Sequence, residues 1–154
     1  MLDHPRTGSD ANRRSHTVCR ILVGYDGSGE AQEALRVGTS LATELGADLR
    51  VLVVVRPPAH AETPEELERA EAAERANLSA GLVTDPPPGQ PALDLDVRVV
   101  FADDPATTLA RHATEHGFDL VVVGRHGRDR MMHRGIGHTL DALLRHSSIA
   151  VLVT

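Results

Sequence analysis

The sequence predicts an α/β fold: a single-domain, three-layer α/β/α sandwich around a five-stranded parallel sheet. Short β-branched apolar runs, typical of fully buried parallel strands, alternate with segments whose apolar residues recur every three or four positions. This β-α pattern repeats four times and ends in a fifth strand, as expected for a parallel sheet covered by helices on both faces. With 154 residues and a hydrophobic content of 41%, the chain can form one domain with a substantial core.

Five segments are predicted to be strands because they are rich in Val, Leu and Ile and are bounded by turn residues. They cover residues 18–25, 49–55, 95–101, 119–123 and 149–153. The third of these begins with alternating apolar and polar residues, so we expect it near a sheet edge. Residues 1–17 are polar and show no periodicity. We predict that they form a disordered tail and that the folded domain spans 18–154.

Four helices are predicted between the strands, and the first three have recognisable capping residues. Ser28, Thr63 and Asp104 suit the N-cap positions, and a proline follows the last two directly. Gly46 is predicted to end the first helix, and the fourth helix is predicted around 140–145. The residues of the first helix expected to face the core are Ala31, Ala34, Leu35, Gly38, Leu41, Ala42 and Leu45.

Composition excludes several classes of function. The chain has no lysine, so it lacks the Walker-type phosphate loop, which needs Lys after its second glycine. A formal net charge of -6 and an aromatic content of 2% argue against a nucleic-acid-binding surface. Cys19 is the only cysteine, and no apolar run approaches membrane-spanning length. We therefore expect a cytoplasmic protein without membrane or nucleic-acid partners.

The loop at 124–139 is the strongest candidate functional segment. It joins the end of a predicted strand to the start of a helix, where α/β proteins present backbone N–H groups and a positive dipole end to anions. The segment carries four glycines and four arginines, namely Gly124, Gly127, Gly135, Gly137, Arg125, Arg128, Arg130 and Arg134. Its single acidic residue is Asp129, so the loop favours an anionic ligand. The alternative is a solvated loop whose arginines serve solubility.

The spacing Gly124-x2-Gly127-x9-Gly137 resembles the nucleotide-binding signature G-x2-G-x9-G-(S/T) of the universal stress protein family. The resemblance extends over about residues 20–154. Further matching segments, in the family's order, are Arg20-Ile-Leu-Val-Gly-Tyr-Asp-Gly-Ser28, Asp104-Pro-Ala106, Asp119-Leu-Val-Val-Val-Gly124 and Ala150-Val-Leu-Val153. The resemblance implies an adenine nucleotide α-hydrolase-like fold with the strand order 3-2-1-4-5. The chain departs from the signature at His138, where the family has a phosphate-binding Ser or Thr; Thr139 follows one position later.

Carried over position by position, the resemblance implies a site for ATP with Mg²⁺ where the first and fourth strands end. The residues implied to contact the nucleotide are Gly24, Tyr25, Asp26, Val54, Gly124, Arg125, His126, Gly127, Gly137, His138 and Thr139. Asp26 would hold the ribose or the adenine, although Asp-Gly is also a common turn pair. The resemblance further implies a homodimer through the C-terminal strand, which contains no Lys, Pro or inward charge to prevent edge pairing.

Three functions agree with these residues. The first is a stress or energy-state responder that binds ATP and hydrolyses it slowly or not at all. The second is a dimeric interaction module of the same fold that binds no nucleotide, which His138 supports. The third is a small enzyme of the wider α-hydrolase fold. It would need a second substrate site that the sequence does not reveal, and no hydrolase nucleophile motif is present.

No metal site is predicted from the nine histidines of the chain. His112 and His116 lie one helical turn apart, a spacing that metal sites use, but no third ligand follows at a fixed spacing. His126, His133 and His138 share one loop and are a weak candidate for metal binding or pH sensing.

Overall fold

A computed structural model describes residues 17–59, 62–82, 95–126 and 138–154. The predicted fold is confirmed, because five parallel strands form one sheet in the order β3-β2-β1-β4-β5. The strands are β1 (Arg20–Gly24), β2 (Asp48–Val55), β3 (Asp96–Phe101), β4 (Leu120–Val123) and β5 (Ala150–Val153). The helices are α1 (Gly29–Leu45), α2 (Pro64–Gly81), α3 (Pro105–Glu115) and α4 (His138–His146). The predicted disordered tail lies, except for Thr17, outside the described residues and stays a prediction.

Two hydrophobic clusters, one on each face of the sheet, make the three layers. On one face, α1 and α2 cover side chains such as Ile21, Val51 and Val97. On the other face, α3 and α4 cover Leu22, Val121 and neighbouring residues. Successive residues of β1 thus contribute to opposite clusters, which follows from the two-residue repeat of a strand. The central strand is buried on both faces, as its uninterrupted apolar sequence predicts.

The predicted capping residues begin and end the helices. Ser28 Oγ accepts a hydrogen bond from the Ala31 amide at 3.1 Å. Thr63 forms a capping box with Glu66, and Asp104 accepts the amides at the start of α3. Gly46 closes α1 with a φ of 63°, a left-handed conformation that glycine adopts without steric cost. Because each cap acts within a few residues of sequence, local patterns were sufficient to locate these helix ends.

The first strand is shorter than predicted. It begins at Arg20 rather than at residue 18, because the amides of Cys19 and Arg20 both donate to Asp119 Oδ2 at 2.9 Å. At this end of the sheet, the Asp119 carboxylate accepts the two amides in place of a backbone carbonyl of a neighbouring strand.

Leu45, predicted to face the core, is 50% exposed, so that prediction was wrong. The 17 residues of α1 span about 25 Å, whereas the five residues of β1 span about 17 Å. Helix α1 is therefore longer than β1, the central strand on which it packs. Among the described residues, no helix has the length and apolar character needed to span a bilayer.

Candidate functional site

The two turns singled out from the sequence lie side by side at one edge of the sheet. They follow β1 and β4, which are parallel neighbours with Val23 opposite Val122. Strand order reverses between β1 and β4, because the chain runs from β1 outward to β3 and then returns to the other side of β1. Such reversal points form crevices at the carboxyl ends of strands, where α/β proteins bind ligands. The structure therefore brings Gly24–Asp26 and Gly124–His126 together at a position suited to a ligand.

Gly24 and Tyr25 are fixed by contacts with the body of the domain. A Cβ added at Gly24 would lie 3.0 Å from Val123 Cγ1, so the packing of β1 against β4 favours glycine. The Tyr25 amide donates to the Leu52 carbonyl oxygen at 3.0 Å, and its hydroxyl donates to Gln32 Oε1 at the same distance. These contacts hold the first turn rigidly above the end of β2.

Asp26 has the local turn role that its Asp-Gly sequence indicated. Its Oδ1 accepts the Ser28 amide at 2.9 Å, and Ser28 in turn caps α1. Asp26 is partly exposed, so the carboxylate lies at the surface of the crevice in an orientation set by the turn. An oriented carboxylate of this kind can accept hydrogen bonds from hydroxyl or amino groups of a ligand.

Gly124 is in very close contact with the first turn of α1. A Cβ at this position would lie 2.8 Å from the carbonyl carbon of Glu30 and 3.0 Å from its carbonyl oxygen. Because the obstructing atoms belong to the backbone, no change of rotamer relieves the clash. The signature relates Gly124 to phosphate binding, but the packing of this residue on α1 already favours glycine here.

The residues that follow Gly124 are held by bonds within the chain. The Arg125 amide donates to the Thr154 carbonyl oxygen at 3.1 Å, while the arginine side chain is exposed. The His126 amide donates to Glu30 Oε2, and the His126 ring nitrogen Nδ1 lies 3.3 Å from the same oxygen. Both side chains are about one-quarter exposed, at 29% for His126 and 25% for Glu30. Glu30 thus joins the start of α1 to the turn Gly124–His126, a contact that the sequence did not predict.

The remaining predicted site residues are described only in part. Val54 is partly buried in β2 opposite Val100, where it packs against the cluster beneath α3. Thr139 is exposed in the first turn of α4. Helix α4 begins at His138, two residues before the predicted segment, and nothing is described of the His138 side chain. Gly127 and Gly137 lie outside the described residues.

His112 and His116 lie in a structural cluster and not at the strand ends described above. Their rings stack with centroids 4.0 Å apart, and His112 also stacks on Phe118. Burial of the ring, assisted by the positive charges of His116 and Arg50, lowers the pKa of His112 to about 4. Across 17–59, 62–82, 95–126 and 138–154, no three His, Cys, Asp or Glu side chains are grouped as a metal site requires.

Comparison with known proteins identifies relatives of the whole domain. A model described as "Universal stress protein family" matches residues 18–154. Universal stress protein Slr1230 of Synechocystis sp. is 28% identical over 142 residues, which is 91% of this chain and 44% of the relative. The chain therefore spans less than half the length of that curated relative.

Solved structures show the same architecture. Universal stress protein UspA from Lactobacillus plantarum superimposes with a TM-score of 0.67 at 26% identity, covering 88% of this chain and 97% of that one. A universal stress protein in complex with cAMP superimposes with a TM-score of 0.60, also at 26% identity. That alignment covers 90% of this chain and 97% of the other.

Proposed function

Since the chain belongs to the universal stress protein family, we propose that it binds an adenine nucleotide, with ATP and Mg²⁺ as the ligand, and acts as a stress or energy-state responder. The observation that carries this proposal is the meeting of two glycine-containing turns where β1 and β4 end at the reversal of strand order. The similar structure that holds cAMP supports an adenine nucleotide as the class of ligand. The single cysteine, Cys19, is consistent with function in the reducing cytoplasm.

We assign the site residues the following roles. Asp26, oriented by its bond to Ser28, accepts hydrogen bonds from the ribose or the adenine. The backbone of Val54, near the end of β2, contacts the adenine. The loop of residues 124–139, which includes Gly127, Gly137, His138 and Thr139, holds the phosphates with its backbone N–H groups and its arginines. Its connection to the start of α4 adds the positive end of that helix dipole.

Isothermal titration with ATP, ADP and AMP tests this proposal. Gly127→Val places a branched side chain where the backbone meets phosphate, so the affinity for ATP should fall at least about tenfold. Gly29→Ala is a matched control, because nothing lies within 4 Å of a Cβ added there. If a folded Gly127→Val variant keeps the affinity of the native protein, the loop is not the phosphate site.

A second candidate function is that of a dimeric interaction module without a nucleotide. Two observations favour it: His138 stands in place of the Ser or Thr of the signature, and the Glu30 carboxylate already accepts the His126 amide. If titration of the native protein with ATP, ADP and AMP gives no measurable heat of binding, this candidate is favoured over the first.

We further propose that the protein forms a homodimer through β5. Within the described residues, β5 pairs with β4 on one side only, and its residues Val151, Leu152 and Val153 are only partly buried. An apolar strand with one unpaired edge favours pairing with a second copy across a two-fold axis.

A further inference from the structure

The carboxylate of Glu30 occupies the kind of position that a phosphate oxygen takes in an anion-binding loop. It accepts the backbone N–H of His126, two residues after the first glycine of the loop. Its Oε2 also lies 3.3 Å from His126 Nδ1, so the carboxylate is in contact with both the backbone and the ring. Hydrogen bonds from backbone N–H groups to an anionic oxygen are among the stronger ones in proteins.

Two features keep Glu30 at this position. It lies in the first turn of α1, two residues after the Ser28 cap, where the helix dipole stabilises a negative charge. Its backbone is in close contact with Gly124, which fixes the Cα of Glu30 beside the loop. The side chain can rotate away, but its point of attachment stays close to the loop.

The backbone amide of Arg125, in the same turn, is also hydrogen-bonded. The Arg125 N–H donates to the carbonyl oxygen of Thr154 at 3.1 Å, which ties the turn to the residue after β5. An incoming anion therefore meets no vacant N–H at residues 125 and 126. To use the His126 amide, the anion has to displace Glu30.

We propose that Glu30 is an internal competitor for phosphate, which weakens the binding of nucleotides in proportion to their negative charge. This inference rests on the proposed nucleotide-binding function. Displacing the carboxylate costs its bond to His126, and a carboxylate that stays nearby repels the phosphates in this partly exposed crevice. Mg²⁺ bound to the phosphates lowers the charge that Glu30 meets and reduces the penalty. Glu30 thereby makes the affinity of the protein depend on the net charge of the nucleotide.

The substitution Glu30→Gln tests this role with little change of shape. The amide oxygen of Gln still accepts the His126 N–H, so the position of the loop is preserved while the negative charge is removed. We expect the variant to bind ATP about tenfold more tightly than the native protein in the absence of Mg²⁺. The gain should be smaller for ADP, smallest for AMP, and reduced for ATP at millimolar MgCl₂.

Glu44→Gln is the matched control. It removes one negative charge from the exposed last turn of the same helix, about 21 Å along the helix axis from Glu30. This variant should bind all three nucleotides as the native protein does. A merely structural role of Glu30 would change the three affinities by one common factor, so the trend from AMP to ATP distinguishes repulsion from positioning.

The outcomes separate this inference from the proposed function. If the native protein binds nucleotides and Glu30→Gln binds them equally or less tightly, the role of Glu30 is refuted and the proposed function stands. If only the variant binds, the role of Glu30 is supported and the proposed function of the native protein is refuted. If neither protein binds any of the three nucleotides, both are refuted.

Discussion

The contact between Gly124 and the first turn of α1 makes Gly124→Ala an informative substitution. The added Cβ would lie 2.8 Å from the carbonyl carbon of Glu30, 2.9 Å from its Cβ and 3.0 Å from its carbonyl oxygen. Ordinary contacts between carbon atoms are about 3.5–4.0 Å. The backbone therefore has to separate by most of an ångström, at the point where the loop leaves β4.

The expected cost is that of overpacking a rigid site. Insertion of a methyl group against backbone costs about 1–3 kcal/mol, and a value near 2 kcal/mol is reasonable here because neither side can rotate away. For a domain of this size each kcal/mol lowers the melting temperature by roughly 2–4 °C. We therefore expect Gly124→Ala to melt about 4–8 °C below the native protein, as measured by calorimetry. Urea denaturation followed by circular dichroism should show a free energy of unfolding that is lower by about 2 kcal/mol.

Gly29→Ala provides the control for this measurement. Gly29 is the first residue of α1, and a Cβ there meets nothing within 4 Å, so alanine should leave stability unchanged or raise it slightly. If Gly124→Ala unfolds within about 0.5 kcal/mol of the native protein, the close contact with Glu30 does not constrain the loop. An equal loss in both variants would also contradict the argument.

Two further predictions concern acid stability and assembly. The pKa of His112, lowered to about 4 from the 6.5 of the unfolded chain, means that the unfolded state binds the proton first. The free energy of unfolding should therefore decrease as the pH drops from about 6.5 to 4, by at most about 3 kcal/mol before screening by solvent. Urea denaturation of the His112→Phe variant across this pH range should not show this decrease. Light scattering should give about twice the 16.5 kDa chain mass, and Ala150→Lys, at the exposed start of β5, should halve it. A native mass of 16.5 kDa at micromolar concentration would refute the dimer.

Much of the fold was predictable because its determinants are local. The strands are recognisable as β-branched runs, and the helix ends are set by residues such as Ser28, Gly46 and Asp104 that act within one turn. The prediction was wrong at Leu45, where the apolar spacing continues into the last turn of α1 but the side chain is half exposed. Helical periodicity indicates which face is apolar, and it does not indicate how far the neighbouring layer extends.

The site was less predictable because its contacts join distant parts of the sequence. Glu30 and His126 are 96 residues apart, and the only local signal at Glu30 is an acidic residue in the first turn of a helix. That signal is fully explained by the helix dipole. A second reason is that one pattern has two physical causes: glycine at 124 agrees with the family's signature and is also required by packing on α1.

The charges at the strand ends are what distinguish the two candidate functions, since the fold is common to both. In the two described turns and the start of α1, Asp26 and Glu30 are acidic and held by hydrogen bonds, while Arg125 is basic and exposed. A highly charged nucleotide entering the proposed site would therefore meet carboxylates on the α1 side of the crevice. Its binding depends on positive charge from Mg²⁺ or from the arginines of the loop. ATP without Mg²⁺ should consequently bind no more tightly than AMP, whereas a marked preference for free ATP would show that the loop arginines outweigh both carboxylates.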